Sequence, residues 1–307
     1  MIRDVIRIWG TVFAALLGLA FGSFLNVCLS RWPRGESIIK PRSHCRNCGR
    51  VLPWWENVPL LSWVALRGKC RGCGAWIGWR HLIVEAAIGG LWAAVVWSSL
   101  PSVLDADLPG AVLWYQLATV FAKMMFLWLL AGLAVLDAEY LWLPDAITMP
   151  GIVVGLVLGI LKAPIVSRLS ASSGLPLSDG IENSRYGIYT PALELLIGAV
   201  GAFVLILVIR WIYWLIRRRE GIGLGDAKLM ALLAAWLGFP RALLAFGVGA
   251  VLGAVMAVVV VSLHRKRGGD EWGLLKLPLG TFLCIGGMVS SLWGREIIAA
   301  YLRWAGL

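Results

Sequence analysis

A chain of 307 residues that is 60% hydrophobic and only 15% charged is too apolar for an ordinary soluble domain, in which about half the residues are apolar and about a quarter charged. Its mean hydropathy of +0.81 and pI near 9.8 agree with a basic membrane protein. The formal charge of +11 invites a nucleic-acid reading. The basic residues gather between apolar runs, however, as in cytoplasmic loops of polytopic proteins, and no nucleic-acid partner is expected.

The first apolar run, 8–29, exceeds a signal-peptide core of about 7–15 residues and no small-residue cleavage site follows it, so it is expected to stay as a membrane span. The connection 31–81 carries Arg31, Arg34, Lys40, Arg42, Arg46, Arg50, Arg67, Lys69, Arg71 and Arg80 against Glu36 and Glu56. The positive-inside rule places it in the cytoplasm and the N-terminus outside, although Arg3 and Arg7 run against that scheme. Within it lie two C-x-x-C knuckles, Cys45 with Cys48 and Cys70 with Cys73, about twenty residues apart. Four thiolates at this spacing in a reducing compartment predict a closed tetrahedral zinc site with a structural role. His44 is not needed as a ligand. Cys28 and Cys284 sit in apolar runs and read as small buried hydrophobes.

Further apolar stretches at 82–100, 112–136, 146–163, 191–216, 241–263 and 278–302, with a shorter one at 227–239, predict an all-α fold of about eight transmembrane helices. A zinc-ribbon-like loop bearing the four cysteines lies between the first two. Alternation places 101–111, with Asp105 and Asp107, outside, together with 164–190. It places 137–145, 217–226 and 264–276 inside. The expected organisation is a first helix over 1–30, the cysteine loop over 31–81 with its associated region extending to about 110, and a membrane-embedded domain over 111–307.

Two acidic elements therefore share the cytoplasmic face: Asp137 at the end of one apolar run, and Asp226 after Gly221, Gly223 and Gly225. Ionisable groups at the edge of hydrocarbon are costly and mark function. Two carboxylates can divide the work of peptide hydrolysis, one ionised to activate water and one protonated to assist the carbonyl. The glycines allow a bend that bulkier residues would block. Plainer readings exist: Asp137 as a solvated helix end, Asp145 as an N-cap after Pro144, Glu139 and Glu220 as interfacial charges, and Lys228 either tuning the pair or snorkelling to the interface. A transporter using carboxylates as an ion relay, or a non-catalytic assembly factor of a secretion apparatus, are the competing function classes. No convincing internal repeat supports the transporter.

The residues taken together resemble the prepilin peptidases, the leader peptidase/N-methyltransferases of type IV pilus and type II secretion systems. The likeness starts at Gly22-Ser23-Phe24-Leu25-Asn26-Val27 and runs through both knuckles, with Trp55 to Trp63 and Leu66 to Cys70 between them. It continues through Arg80 to Glu85, the Asp137 to Asp145 element, the Glu220 to Lys228 element and Leu277-Pro278-Leu279-Gly280. Arg80 is not followed by the family's aromatic–proline pair, and the outer loop 164–190 is longer than expected. The resemblance implies an intramembrane aspartic protease with Asp137 and Asp226 catalytic. It implies prepilins and pseudopilins as substrates, cut at the cytoplasmic face of the bacterial inner membrane between a glycine and a phenylalanine-like residue. It further implies methylation of the new amino terminus from S-adenosylmethionine, served by the N-terminal region, where Gly22, Asn26, Glu56, Gly68 and Lys69 match family positions.

Overall fold

The computed structural model describes residues 2–104, 110–173, 191–218, 223–266 and 277–306. Asp105 and Asp107, the segment 174–190, residues 219–222 with Glu220 and Gly221, and the stretch 267–276 lie outside the described residues. The described residues form helices α1 (Ile2–Arg31), α2 (Leu61–Ala65), α3 (Trp79–Leu104), α4 (Gly110–Tyr140), α5 (Asp145–Ser173), α6 (Pro191–Arg217), α7 (Leu224–Leu237), α8 (Phe239–Lys266) and α9 (Leu279–Ala305). Seven of these are long and apolar enough to cross a bilayer: all except α2 and α7. The chain is a multi-pass membrane protein. At 14 residues, α7 rises only about 21 Å against a hydrocarbon core of about 30 Å.

The chain divides into two compact units, Met1–Gly132 and Leu133–Leu307, with the boundary inside α4. In the first unit α1 and α3 run antiparallel. Arg7 donates to the Trp97 carbonyl at one end of the seam and Asn26 Nδ2 to the His81 carbonyl at the other. Small residues let the backbones meet: a Cβ on Gly22 would stand 2.7 Å from Glu85 Cα. Hydrocarbon gives two helices no hydrophobic reason to associate, so such close contact is what holds them. Trp92 fills the interior beside this seam and satisfies its indole N–H on the Met124 carbonyl of α4, 2.9 Å away.

The second unit is built around α7. This helix is apolar on nearly every side and buried along most of its length, touching α5, α6, α8 and α9. An all-round apolar helix belongs in the interior of a bundle. It is pinned to α5 by the Trp236 indole, which donates to the Gly151 carbonyl at 2.8 Å. One residue, Gly238 at φ +81, turns α7 into α8. There Arg241 Nε donates to the Leu237 carbonyl at 2.9 Å, and Ser290 of α9 donates to the Arg241 carbonyl at 2.7 Å.

Candidate active site and metal centre

The two cysteine knuckles are a structural repeat. In the first, Cys45 N–H bonds the Arg50 carbonyl and Gly49 N–H the Cys45 carbonyl; in the second, Cys70 bonds Ala75 and Gly74 bonds Cys70, all at 2.9 Å. Each closes with one antiparallel bridge, His44 to Val51 and Lys69 to Trp76. The four sulfurs lie within 4.8 Å of one another, with Cys45 and Cys73 Sγ 3.8 Å apart. A tetrahedral zinc with Zn–S near 2.3 Å sets its ligands about 3.8 Å apart, so the tetrad could hold such a metal. Local donors favour the thiolate at two of the four, while at Cys48, despite the Arg50 backbone N–H, the neighbouring cysteine sulfurs hold the thiol up at about 11. The Asn47 amide, ahead of the Ala75 N–H, draws the Cys73 thiol down to about 6, and the Cys48 and Asn47 backbone N–H groups lower Cys45. His44 stays outside the cluster, its Nδ1 3.0 Å from the Arg42 carbonyl. Cys28 and Cys284 are fully buried, as expected of small apolar side chains.

The five residues matched to methylation fall on this first unit. Gly22 serves the α1–α3 seam. Asn26 and Glu56 are buried, and each leaves one oxygen, Oδ1 and Oε2, without a partner. Through its other oxygen Glu56 joins both knuckles, 2.9 Å from Arg50 and 3.9 Å from Arg71. Gly68 sits at φ +68 against Trp63 and Trp76, where a Cβ would come within 2.6 Å of an indole ring. Lys69 contributes the backbone bridge to Trp76. Glu85, at the end of the Arg80–Glu85 stretch, is also buried and accepts the Leu60 N–H at 2.8 Å.

The second unit brings the two aspartates together. Asp137 occupies the last turn of α4 and is 6% exposed; Asp226 opens α7 and is 8% exposed. Asp137 Oδ2 accepts the Thr281 backbone N–H at 2.7 Å and lies 3.1 Å from the Thr281 hydroxyl, which also reaches the Ala134 carbonyl. The carboxylate thus rests on the N-terminus of α9, where unpaired amides favour negative charge. Asp226 Oδ2 accepts the Gly223 N–H at 3.1 Å, the reciprocal half of a helix cap. Burial pushes the Asp226 carboxyl up to about 6; the Gly223 bond pulls it back and the charge of Asp137 pushes it further. A buried carboxyl that feels a neighbouring negative charge favours its protonated form.

Packing keeps this corner tight. A Cβ on Gly280 would stand 2.9 Å from Asp137 Cγ and 3.0 Å from Leu143 Cδ1, and one on Gly225 would stand 3.2 Å from the same leucine carbon. Asp145 is already helical rather than an N-cap, and its carboxylate accepts from Lys228 Nζ at 2.6 Å. Lys228 therefore neither snorkels freely nor pairs with Asp226. Sequence reasoning missed Thr281 and Leu143. The neighbouring Pro278-Leu279-Gly280 was noticed, but nothing in it tells which side chain α9 presents its amides to.

Residues 16–99 match the model of the bacterial peptidase A24 N-terminal domain, and residues 124–258 that of the type IV leader peptidase family. A prepilin leader peptidase/N-methyltransferase of Burkholderia pseudomallei (strain 1026b) is 31% identical over 307 residues, covering 92% of this chain and 85% of its own. The chain belongs to the prepilin leader peptidase/N-methyltransferase family. Proteins of the same name from Stutzerimonas stutzeri, 29% identical over 96% of this chain and 94% of theirs, and Myxococcus xanthus, 35% identical over 84% and 65%, agree. No solved structure matches. The two matched segments separate the four cysteines, which fall in the first, from Asp137 and Asp226, which fall in the second.

Proposed function

We propose that this protein cleaves the basic leader from prepilins and pseudopilins and methylates the amino terminus that cleavage exposes. The observation that supports it most is the convergence of Asp137 and Asp226, 89 positions apart in sequence, into one desolvated corner around Leu143 where the charge of Asp137 acts on Asp226. Asp137, whose Oδ2 accepts the Thr281 backbone N–H and shares the Thr281 hydroxyl with the Ala134 carbonyl, is the member to ionise and to draw a proton from water. Asp226 holds the proton that stabilises the developing oxyanion and then goes to the leaving amine. The attacking water oxygen forms the new C–O bond, the C–N bond breaks, and the proton taken by Asp137 restores the pair for the next cycle.

The peptidase region is 111–307, and the N-terminal helix with the module 31–81, extending to about 110, serves methylation. Cys45, Cys48, Cys70 and Cys73 hold a structural zinc, since four thiolates leave no open position for a substrate. S-adenosylmethionine supplies an electrophilic methyl group. The buried, unpartnered oxygens of Asn26 and Glu56 suit a ligand that offers hydroxyl and amino donors, while Gly22 and Gly68 act by allowing close packing around them. The enzyme works in the bacterial inner membrane with its carboxyls at the cytoplasmic face, the side favoured by the basic loops. A prepilin fits that placement, because its leader stays in the cytoplasm while its apolar helix enters the bilayer.

The test is mass spectrometry of a prepilin co-expressed with wild-type protein or with Asp137→Ala or Asp226→Asn. Wild type should yield a shortened and methylated N-terminus, and each variant an intact leader at normal zinc content. A variant that still processes at the wild-type rate removes that residue from the site; an ion relay or assembly factor would leave the prepilin uncut throughout.

A further inference from the structure

Lys228 lies two residues after Asp226 and Asp145 eight residues after Asp137, and the two are joined at 2.6 Å. Residues two apart on a helix point to nearly opposite sides, so Lys228 is turned away from the Asp226 carboxyl by the geometry of α7. It reaches instead to the first turn of α5. The bond therefore crosses between the two segments that carry the aspartates, spanning 83 positions of sequence. The Lys228 side chain is 23% exposed and that of Asp145 63%. An ion pair this open adds little to stability, so stability alone gives small reason for it.

The segment between Asp137 and Asp145 needs holding. Leu141 adopts φ +50, a left-handed conformation that costs a branched side chain energy and persists only when its surroundings impose it. Two residues on, Leu143 reaches between Gly225, the neighbour of Asp226, and Gly280, whose Cα faces the Asp137 carboxyl. The turn 141–144 thus carries a leucine that touches the supports of both aspartates. Its near end is the Leu141 N–H on the Asp137 carbonyl at 2.9 Å. Its far end is Asp145, tied to α7 through Lys228.

We propose that Lys228 and Asp145 are positioning residues for the aspartate pair: their ion pair anchors the 141–145 turn so that Leu143 stays seated and the two carboxyls stay aligned on one water. The proposal rests on the peptidase reading given above. Neither residue touches the reacting atoms. Losing the tie loosens the alignment without removing a substrate contact, which lowers kcat and leaves KM nearly unchanged. Small misplacements of catalytic groups cost up to about a hundredfold in rate, and a partial loosening is expected to cost about tenfold.

The experiment uses the full chain in phospholipid nanodiscs and a synthetic substrate with a basic leader, a Gly–Phe junction and an apolar helix. Lys228→Met and Asp145→Asn should each lower kcat about tenfold with KM within about twofold. Lys228→Arg should stay close to wild type. The reversed pair, Lys228→Asp with Asp145→Lys, should recover kcat to within about threefold of wild type. Thermal midpoint and zinc content, measured on every variant, identify a protein that has failed to fold, and the Arg and reversed variants then decide the question. Wild-type kcat in both single variants overturns the proposal, as does a reversed pair no better than the worse single variant. Asp226→Asn runs beside them: if it is inactive while Lys228→Met is unimpaired, the clasp is wrong and the aspartate pair stands. If Asp226→Asn cleaves at full rate, the peptidase reading itself falls.

Discussion

Replacing Gly280 with alanine would press on the aspartate pair without deleting any polar group. The added Cβ would sit 2.9 Å from Asp137 Cγ and Oδ2 and 3.0 Å from Leu143 Cδ1, where carbon contacts normally settle at about 3.5–4.0 Å. Something must therefore move by about 0.5–1 Å. The leucine is flexible but already wedged against Gly225, so the carboxylate takes much of the shift and its 2.7 Å bond to Thr281 N–H lengthens. Overpacking of this kind costs about 1–3 kcal/mol, partly offset by the about 0.5–1 kcal/mol that alanine adds over glycine within a helix. The thermal midpoint should fall only modestly. A displacement near 1 Å at a catalytic group can cost about a hundredfold in rate, so prepilin cleavage by Gly280→Ala should drop about 30- to 100-fold. Gly247→Ala supplies the control: it too replaces a helical glycine, but nothing lies within 4 Å of its added carbon. That variant should gain about 0.5–1 kcal/mol and cleave normally. Continuous cleavage assays on the two purified variants, with thermal melts alongside, give the comparison. A folded Gly280→Ala protein within about threefold of wild-type kcat would refute the idea that Asp137 is held for catalysis by the α9 N-terminus.

Three further outcomes follow from the same geometry. Asp226 keeps its proton in the fold up to about pH 6 but loses it near 3.8 when unfolded, so the fold binds the extra proton between those values and stability declines as pH rises through them. The decline should amount to about 3 kcal/mol and be smaller in Asp226→Asn, as thermal melts from pH 4 to 7 would report; equal slopes in both proteins would contradict it. Cys45→Ser combined with Cys73→Ser should release most of the bound zinc by elemental analysis and speed amide exchange over 42–76, and undiminished zinc would dismiss the tetrad. Thr281→Val removes the hydroxyl near Asp137 but keeps the N–H, so it should lower kcat about tenfold, with Thr281→Ser close to wild type; equal rates in the two would leave the hydroxyl without a role.

What could be read from the residues alone depended on how local the signal was. The apolar stretches were visible because each continues for a bilayer's thickness, and the cysteine tetrad because its spacing is a short-range pattern. The stretch 227–239 was visible as apolar, but its use as a buried central helix rests on contacts with α5, α6, α8 and α9 that leave no trace in its own periodicity. Asp137 and Asp226 drew attention as charges at the edge of apolar runs. Thr281 did not, because a threonine near a helix start is ordinary and its partner lies 144 positions away. Lys228 and Asp145 were noticed singly and misjudged for the same reason: an ion pair across 83 positions is a property of the folded bundle. The seam glycine Gly22 shows the same limit, since only the folded chain reveals that its missing side chain serves the approach of two backbones.

The turn at Gly238 has a bearing on where this chain can be altered. A helix of about 21 Å falls short of a hydrocarbon core of about 30 Å, so α7 alone does not reach from one membrane surface to the other. The last carbonyls of a helix lack partners within it, and the Arg241 guanidinium answers the one at Leu237. Connections at a membrane surface tolerate added residues, since solvent satisfies whatever backbone they bring. This one-residue joint leaves little slack, and a tag or spacer placed between Leu237 and Phe239 would pull Arg241 away from the Leu237 carbonyl and from Ser290 of α9.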